Sequence, residues 1–301
     1  MDSNKIINAD SLQHLKTLDD NVFDSCVTDP PYHLASIVKR FGPGQKGINN
    51  QDEKEGRSGP YHRAAKGFMG ETWDGGDIAF QKEFWEEVYR VIKPGAVLLA
   101  FAATRNYHRL GVAIEDAGFE IFDMINWIYG SGFPKRKNYL KPAHEPIVMA
   151  RKGVNPSLNI DEGRIQSEDN PKRWTKPRGG YWKTDKDAKA ELVEQDKGRW
   201  PANIIHDGLD EQWARYFYSA KANKKEKGDS KHPTVKPLSL MRYLIKLVTP
   251  KEGLVLDPFA GTGTTGEACI LENRKYYLIE REKKYLKDIN IRLNKYGRLG
   301  I

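Results

Sequence analysis

Seven short apolar runs alternate with five longer stretches whose apolar residues recur every three or four positions. The runs lie near 5–8 (KIIN), 22–27 (VFDSCV), 96–101 (AVLLAF), 121–128 (IFDMINWI), 146–150 (PIVMA), 253–257 (GLVLD) and 276–280 (YYLIE). The helical stretches fall at 11–18, 80–92 (FQKEFWEEVYRVI), 106–117, 237–248 and 264–273. Strands that alternate with helices build a mostly parallel, doubly wound sheet covered on both faces, because parallel neighbours need a crossover and a helix is the usual one. The expected fold is therefore α/β and Rossmann-like, with about seven strands.

The C-terminal piece strains that pattern. LVLDPFAGTGTTGEACILENRKYYLIE reads as strand, glycine-rich turn, helix and strand, and only 21 residues follow it. A nucleotide-binding half-sheet needs a third strand soon after. KIINADSLQHL, near the N-terminus, supplies one if the chain order is rotated, so that the sheet begins near the C-terminus and continues at residue 5. Chain ends that lie close together make such a rotation easy. In this order Asp10 ends the third strand, beside the crevice at the carboxyl edge of the sheet, and Asp29 ends the fourth. Asp10 before SLQHL also suits a helix cap.

The glycine-rich turn admits several ligands. Gly261, Gly263 and Gly266 satisfy G-x-G-x-x-G, and Gly261 and Gly266 satisfy half of a phosphate loop. The phosphate-loop reading fails at Glu267 and Ala268, where Lys and Ser or Thr would be needed. A dinucleotide survives, since Glu280, 19 residues after Gly261, could hold ribose hydroxyls. S-adenosylmethionine, with the same adenosine, survives too. Asp257, before the first glycine, favours the latter: a carboxylate there repels pyrophosphate but attracts the amino group of a methionine moiety.

TDPPYHL, after the run at 22–27, is a turn at the least, since Pro30 and Pro31 lack N–H groups and stop the strand. It also sets Tyr32, a flat aromatic surface, three residues from the Asp29 carboxylate on a rigid hinge. Such a hinge suits a flat polar ligand. Lys and Arg exceed Asp and Glu by 49 − 41 = 8, and the isoelectric point is near 9.2, which favours an anionic partner, with nucleic acid the leading one. Cys26 and Cys269 belong to no CxxC pair, which argues against a disulfide framework or a zinc site. No run approaches a membrane span and MDSNKIINAD is not a leader, so a cytoplasmic protein is expected.

DPPY at 29–32, HPTVKP at 232–237 and DPFAGTGTTG at 257–266 together resemble the β class of S-adenosylmethionine-dependent amino DNA methyltransferases, which carry these motifs in this rotated order. The resemblance spans roughly residues 4–152 and 230–290. It implies the seven-stranded methyltransferase sheet, no metal, and transfer of a methyl group to the amino group of a base flipped out of duplex DNA. Asp29 and the Pro30 carbonyl would accept the amine N–H groups, Pro31 would stiffen the turn, and Tyr32 would stack on the base. Asp10, Asp257, Phe259, Gly261, Gly263, Thr264 and Glu280 would hold the cofactor, with Thr234, Lys236 and Pro237 entering the helix beside its methionine end. HEPIVMARK at 144–152 matches a late strand of mainly architectural role. DPPY implies adenine; members acting on the cytosine amine more often begin with Ser, and that amine is the alternative.

Two segments break the sheet pattern. Residues 33–72 hold seven glycines and many charges without periodicity, and are expected to be a mobile loop that orders as a lid on DNA. Residues 153–229 occupy the position of the target-recognition region in the resembling family, between catalytic parts at 1–152 and 230–301. Within them Arg164, Lys172, Arg173, Arg178, Trp174 and Trp182 mix basic and aromatic groups suited to phosphates and bases. GRWPANIIHDG at 198–208 reads as ordered, with His206 structural. An RNA or protein-glutamine methyltransferase would more commonly show NPPY with an N-terminal cofactor loop, and a silent DNA-binding protein has no need of an intact Asp29 and Tyr32. A homodimer and a cognate restriction enzyme are compatible partners that these residues do not decide between.

Overall fold

In a computed structural model of the chain, the described residues are 4–32, 77–129, 140, 142–153, 158–164, 172–174, 192–194, 200–206 and 235–297. The glycine-rich segment at 33–72, together with Thr234, Arg178 and Trp182, lies outside them.

The sheet contains β1 (Lys5–Ile7), β2 (Phe23–Thr28), β3 (Ile92–Phe101), β4 (Glu120–Ile128), β5 (His144–Arg151), β8 (Ile204–His206), β9 (Leu254–Asp257) and β10 (Lys275–Ile279), in the order β1-β10-β9-β2-β3-β5-β4-β8. β6 (Lys172–Trp174) and β7 (Leu192–Glu194) form a separate antiparallel pair. All seven expected strands are present. The eighth, β8, comes from the 198–208 segment and adds parallel to β4 through Asn126↔Ile204 and Trp127↔Ile205.

The rotated order is explicit in the pairing. β9 and β10 pair in parallel, and β1 continues on the far side of β10 with Lys5 opposite Tyr277 and Ile7 opposite Ile279. β2 takes the other edge of β9, so the carboxyl ends of β9 and β2 meet at the point where the strand order reverses. β5 alone runs antiparallel to both of its neighbours.

Side chains alternate between two buried layers with the period of two that a strand imposes. Cys26, Leu98, Ala100, Leu256 and Tyr277 face one layer. Val27, Leu99, Phe101, Val255 and Leu278 face the other. The first layer is closed by α1 (Ser11–Leu15), α2 (Lys82–Val91) and α3 (Tyr107–Asp116), which contribute Leu15, Phe84, Trp85, Val88 and Ile114. The second is closed by α4 (Leu238–Val248), α5 (Thr264–Leu271) and α6 (Lys283–Leu293), through Leu244, Ile245, Cys269, Ile289 and Leu293. Cys26 and Cys269 are buried and free. Among the described residues no helix is long and apolar enough to cross a membrane.

Candidate active site

Two turns at the carboxyl edge of the sheet are tied together. At the end of β2, Thr28 donates its hydroxyl to Asp257 Oδ1 at the end of β9, 2.9 Å away. This places the Asp29–Tyr32 turn next to the glycine-rich turn, although 228 residues separate Asp29 from Asp257. Asn106, before α3, donates to the Tyr32 carbonyl at 2.6 Å and holds the far end of the proline turn.

The glycine-rich turn is shaped by its own backbone. Gly261 and Gly263 adopt φ of 53° and 78°, and Gly263 forms the cap from which α5 starts. A Cβ on Gly266 would come within 2.8 Å of Leu278 Cδ1, so the third glycine lets α5 lie close against β10. Asp257 organises the turn: Oδ1 accepts from the Phe259 N–H at 3.1 Å and Oδ2 from Thr265 Oγ at 2.5 Å. Glu280 closes the other side, with Oε2 accepting from Gly261 N–H at 2.8 Å and Oε1 from Glu282 N–H at 2.7 Å. Burial lifts the carboxyl of Asp257 to about 6 and that of Glu280 to about 7. Phe259 packs against Phe84, and Ser11 donates its hydroxyl to the Pro258 carbonyl, so α1 and α2 brace the turn. Asp10 caps α1 by accepting from Gln13 N–H at 3.1 Å while it also faces the cavity.

That cavity, about 1110 Å³, runs from Glu280 to Tyr32. It joins Asp29, Pro30, Pro31 and Tyr32 to Asp10, Asp257, Phe259, Gly261, Thr264, Glu280 and Lys236. Gly263 and Pro237 do not line it; each instead caps a helix, Gly263 at α5 and Pro237 at α4. The volume exceeds that of an ordinary single-ligand pocket and suits a nucleoside cofactor with a second planar group beside it. The residues fit S-adenosylmethionine. The turn brings the Gly261 backbone to the cavity wall, and two carboxylates, Asp257 and Glu280, stand where hydroxyl and ammonium donors would bind.

The other end is charged. Lys236 Nζ lies 2.5 Å from Asp29 Oδ2, 3.2 Å from the Tyr32 hydroxyl and 3.3 Å from Glu145 Oε2. It also stands over the rings of Phe101 and Tyr32, 4.7 and 5.4 Å from their centroids. Tyr32 donates to Glu145 Oε2 at 3.2 Å, and Tyr129 to Glu145 Oε1 at 3.3 Å. Burial pushes the Asp29 carboxyl up and Glu145 adds to the rise, while Lys236 opposes both. Burial works against the Lys236 ammonium, yet Asp29 and Glu145 hold it above the ordinary lysine range. Tyr32 is driven well up by burial and then by the two carboxylates, so it stays a neutral donor. Asp29 Oδ1 is buried and has no hydrogen-bond partner among the described residues.

Lys236, expected in the segment that enters the helix beside the methionine end of the cofactor, lines the cavity and reaches Asp29 and Tyr32. One placement differs from the role the motifs implied: Glu145, in a strand expected to be mainly architectural, is part of the site. The reason is the direction of β5: an antiparallel strand begins at the edge where parallel strands end, so His144 and Glu145 arrive beside Asp29. A glutamate opening an apolar strand was the only signal in the sequence.

Of the basic and aromatic residues between 153 and 229, Arg164 bonds Asp161 at 2.6 Å, and its guanidinium stacks over Trp200 at 4.5 Å. Its side chain is 8% exposed, while Trp200 is 58% exposed. Lys172, Arg173 and Trp174 form β6.

The sequence matches the DNA methylase family of N6 and N4 methyltransferases over residues 23–291. The type II methyltransferase M.HindIII of Haemophilus influenzae is 28% identical, with 97% of this chain and 94% of that protein covered. The type II methyltransferase M.HpaI of Haemophilus parainfluenzae is 26% identical over 96% of this chain and 74% of its own length. Among solved structures, the cytosine-N4-specific PvuII DNA methyltransferase shares the fold, with a TM-score of 0.58 at 18% identity over 97% of this chain and 86% of its own. The complex of M1.HpyAVI with SAM aligns with a TM-score of 0.54 at 20% identity, covering 96% of this chain and 98% of its own. With its rotated sheet and the two turns joined at Asp257, the chain belongs to the DNA methylase family of amino methyltransferases.

Proposed function

We propose that this methyltransferase modifies the N6 amino group of an adenine flipped out of duplex DNA, at sites selected by residues within 153–229. The observation that carries the reading is Asp29 Oδ1, a buried carboxylate oxygen without a hydrogen-bond partner among the described residues, on a residue that lines the same cavity as the cofactor turn and Tyr32. A buried acceptor left unpaired costs about 1–3 kcal/mol, a cost that an amine N–H arriving as substrate would remove.

An exocyclic amine is a poor nucleophile because its lone pair is delocalised into the ring. Asp29 Oδ1 and the Pro30 carbonyl accept its two N–H bonds, favour a tetrahedral nitrogen and free the lone pair. S-adenosylmethionine, when bound, supplies the activated methyl group. Asp29 then receives the proton that the nitrogen gives up, for which a buried carboxyl with a raised pKa is suited. Tyr32 stacks on the base, which offsets part of the unstacking cost by about 1–3 kcal/mol. Asp257, Glu280 and the Gly261 backbone hold the cofactor, with Asp10 beside them.

The DPPY turn supports adenine over cytosine. The type II relatives support a setting in the bacterial cytoplasm, where a cognate restriction enzyme reads the same site. Sequencing DNA from a host expressing the chain, with modified-base detection, tests this. N6-methyladenine at one short word is expected. N4-methylcytosine there would reassign the base, and unmodified DNA alongside cofactor-binding protein would overturn the reading.

A further inference from the structure

An ammonium carries three N–H donors, and the three oxygens around Lys236 come from Asp29, Tyr32 and Glu145. Two carboxylates therefore share one cation at the base end. Glu145 also anchors Tyr32 and Tyr129 through their hydroxyls, one on each carboxylate oxygen. With Glu145 neutral, the attraction on Lys236 would come from Asp29 alone, and the ammonium would be drawn across both Asp29 oxygens.

We propose that Glu145 is a positioning residue for methyl transfer: by sharing the Lys236 ammonium and holding the Tyr32 hydroxyl, it keeps Lys236 on Asp29 Oδ2 and leaves Oδ1 for the target amine. This rests on the amino methyltransferase reading above, in which Asp29 receives that amine. Glu145 does not touch the reacting atoms. It acts through Lys236 and Tyr32.

The test is Glu145→Gln, which keeps size and an acceptor oxygen but removes the charge, beside Glu145→Asp, which keeps the charge on a shorter arm. Single-turnover methylation of a duplex carrying the modified word, at saturating S-adenosylmethionine, is expected to fall about 30-fold in Glu145→Gln and to recover in part in Glu145→Asp. Calorimetric affinity for S-adenosylmethionine should stay within about twofold of wild type in both. The acidic limb of the rate profile should move to lower pH in Glu145→Gln, because one of the carboxylates that raises Asp29 is gone. The other titratable groups facing Asp29 are Lys236, Tyr32, Asp257, Tyr129 and His144, and both variants keep them.

A wild-type rate and an unmoved limb in Glu145→Gln would overturn the proposal. So would equal loss in both variants accompanied by lost cofactor affinity, which is the mark of a purely structural residue. If the wild-type protein itself methylates no DNA while binding cofactor, the functional reading falls and this proposal falls with it.

Discussion

At one end of the cavity, Asp257 and Glu280 are surrounded by neutral donors: the hydroxyls of Thr28 and Thr265 and the N–H groups of Phe259, Gly261 and Glu282. At the other, Asp29 and Glu145 share a single buried ammonium. The first arrangement leaves carboxyls with raised pKa values and, among the described residues, no counter-ion, suited to hydroxyl and ammonium donors from a ligand. Among the described residues the second sets two carboxyl groups against one lysine. In the proposed function the ends divide the labour: carboxyls set by neutral dipoles hold the donor molecule, and fixed charges prepare the nucleophile.

The largest effect expected from this division is at Asp29. Replacing it by Ala should lower single-turnover methyl transfer by about a thousandfold or more, as loss of a preorganised group at the reacting centre does. Cofactor affinity, measured by calorimetry, should change only a few-fold, because the Asp257 and Glu280 contacts are untouched. Parallel loss of affinity and rate would show that the two ends are not separable.

The same contrast explains what was legible in the sequence. The cofactor turn is local: Asp257, Phe259, Gly261 and Thr265 lie within nine residues, and Glu280 follows at the end of the next strand, so spacing alone exposes them. The base end joins positions 207 apart at Lys236 and Asp29, and 113 apart at Tyr32 and Glu145. Periodicity located β5 but not its direction, and direction is what brings Glu145 into the site. β8 escaped notice as a strand for a related reason, since three residues paired at a sheet edge leave no periodic trace. α6 was hidden in a lysine-rich tail, although Tyr285, Ile289 and Leu293 bury one face at every fourth position.

A smaller effect should appear where the cofactor end depends on backbone shape. Gly263 sits at φ 78°, and a Cβ there would lie 3.0 Å from Ile289 Cγ2. Gly263→Ala should therefore cost about 2 kcal/mol in urea unfolding, through the left-handed conformation and the contact with α6. It should weaken cofactor binding while leaving transfer at saturating cofactor within a few-fold of wild type. Such an effect would be the reverse of that at Asp29, and a loss of rate without loss of affinity would contradict the division.

The mildest expected effect is set by pH at Glu280, whose carboxyl burial lifts from an ordinary 4.5 to about 7. In the proposed site ribose hydroxyls donate to the ionised form, so S-adenosylmethionine affinity should rise about tenfold between roughly pH 6 and 8 and then level off. Without cofactor the sign is opposite. A carboxyl raised in the folded state adds stability below its ordinary value, and that contribution disappears as pH rises through about 7. The melting temperature of the free protein should fall between roughly pH 4.5 and 7 while the increment given by cofactor grows, and Glu280→Gln should flatten both trends. An affinity independent of pH in the wild-type protein would mean that the Gly261 and Glu282 N–H groups already keep Glu280 ionised, and the cofactor end would then be charged like the base end.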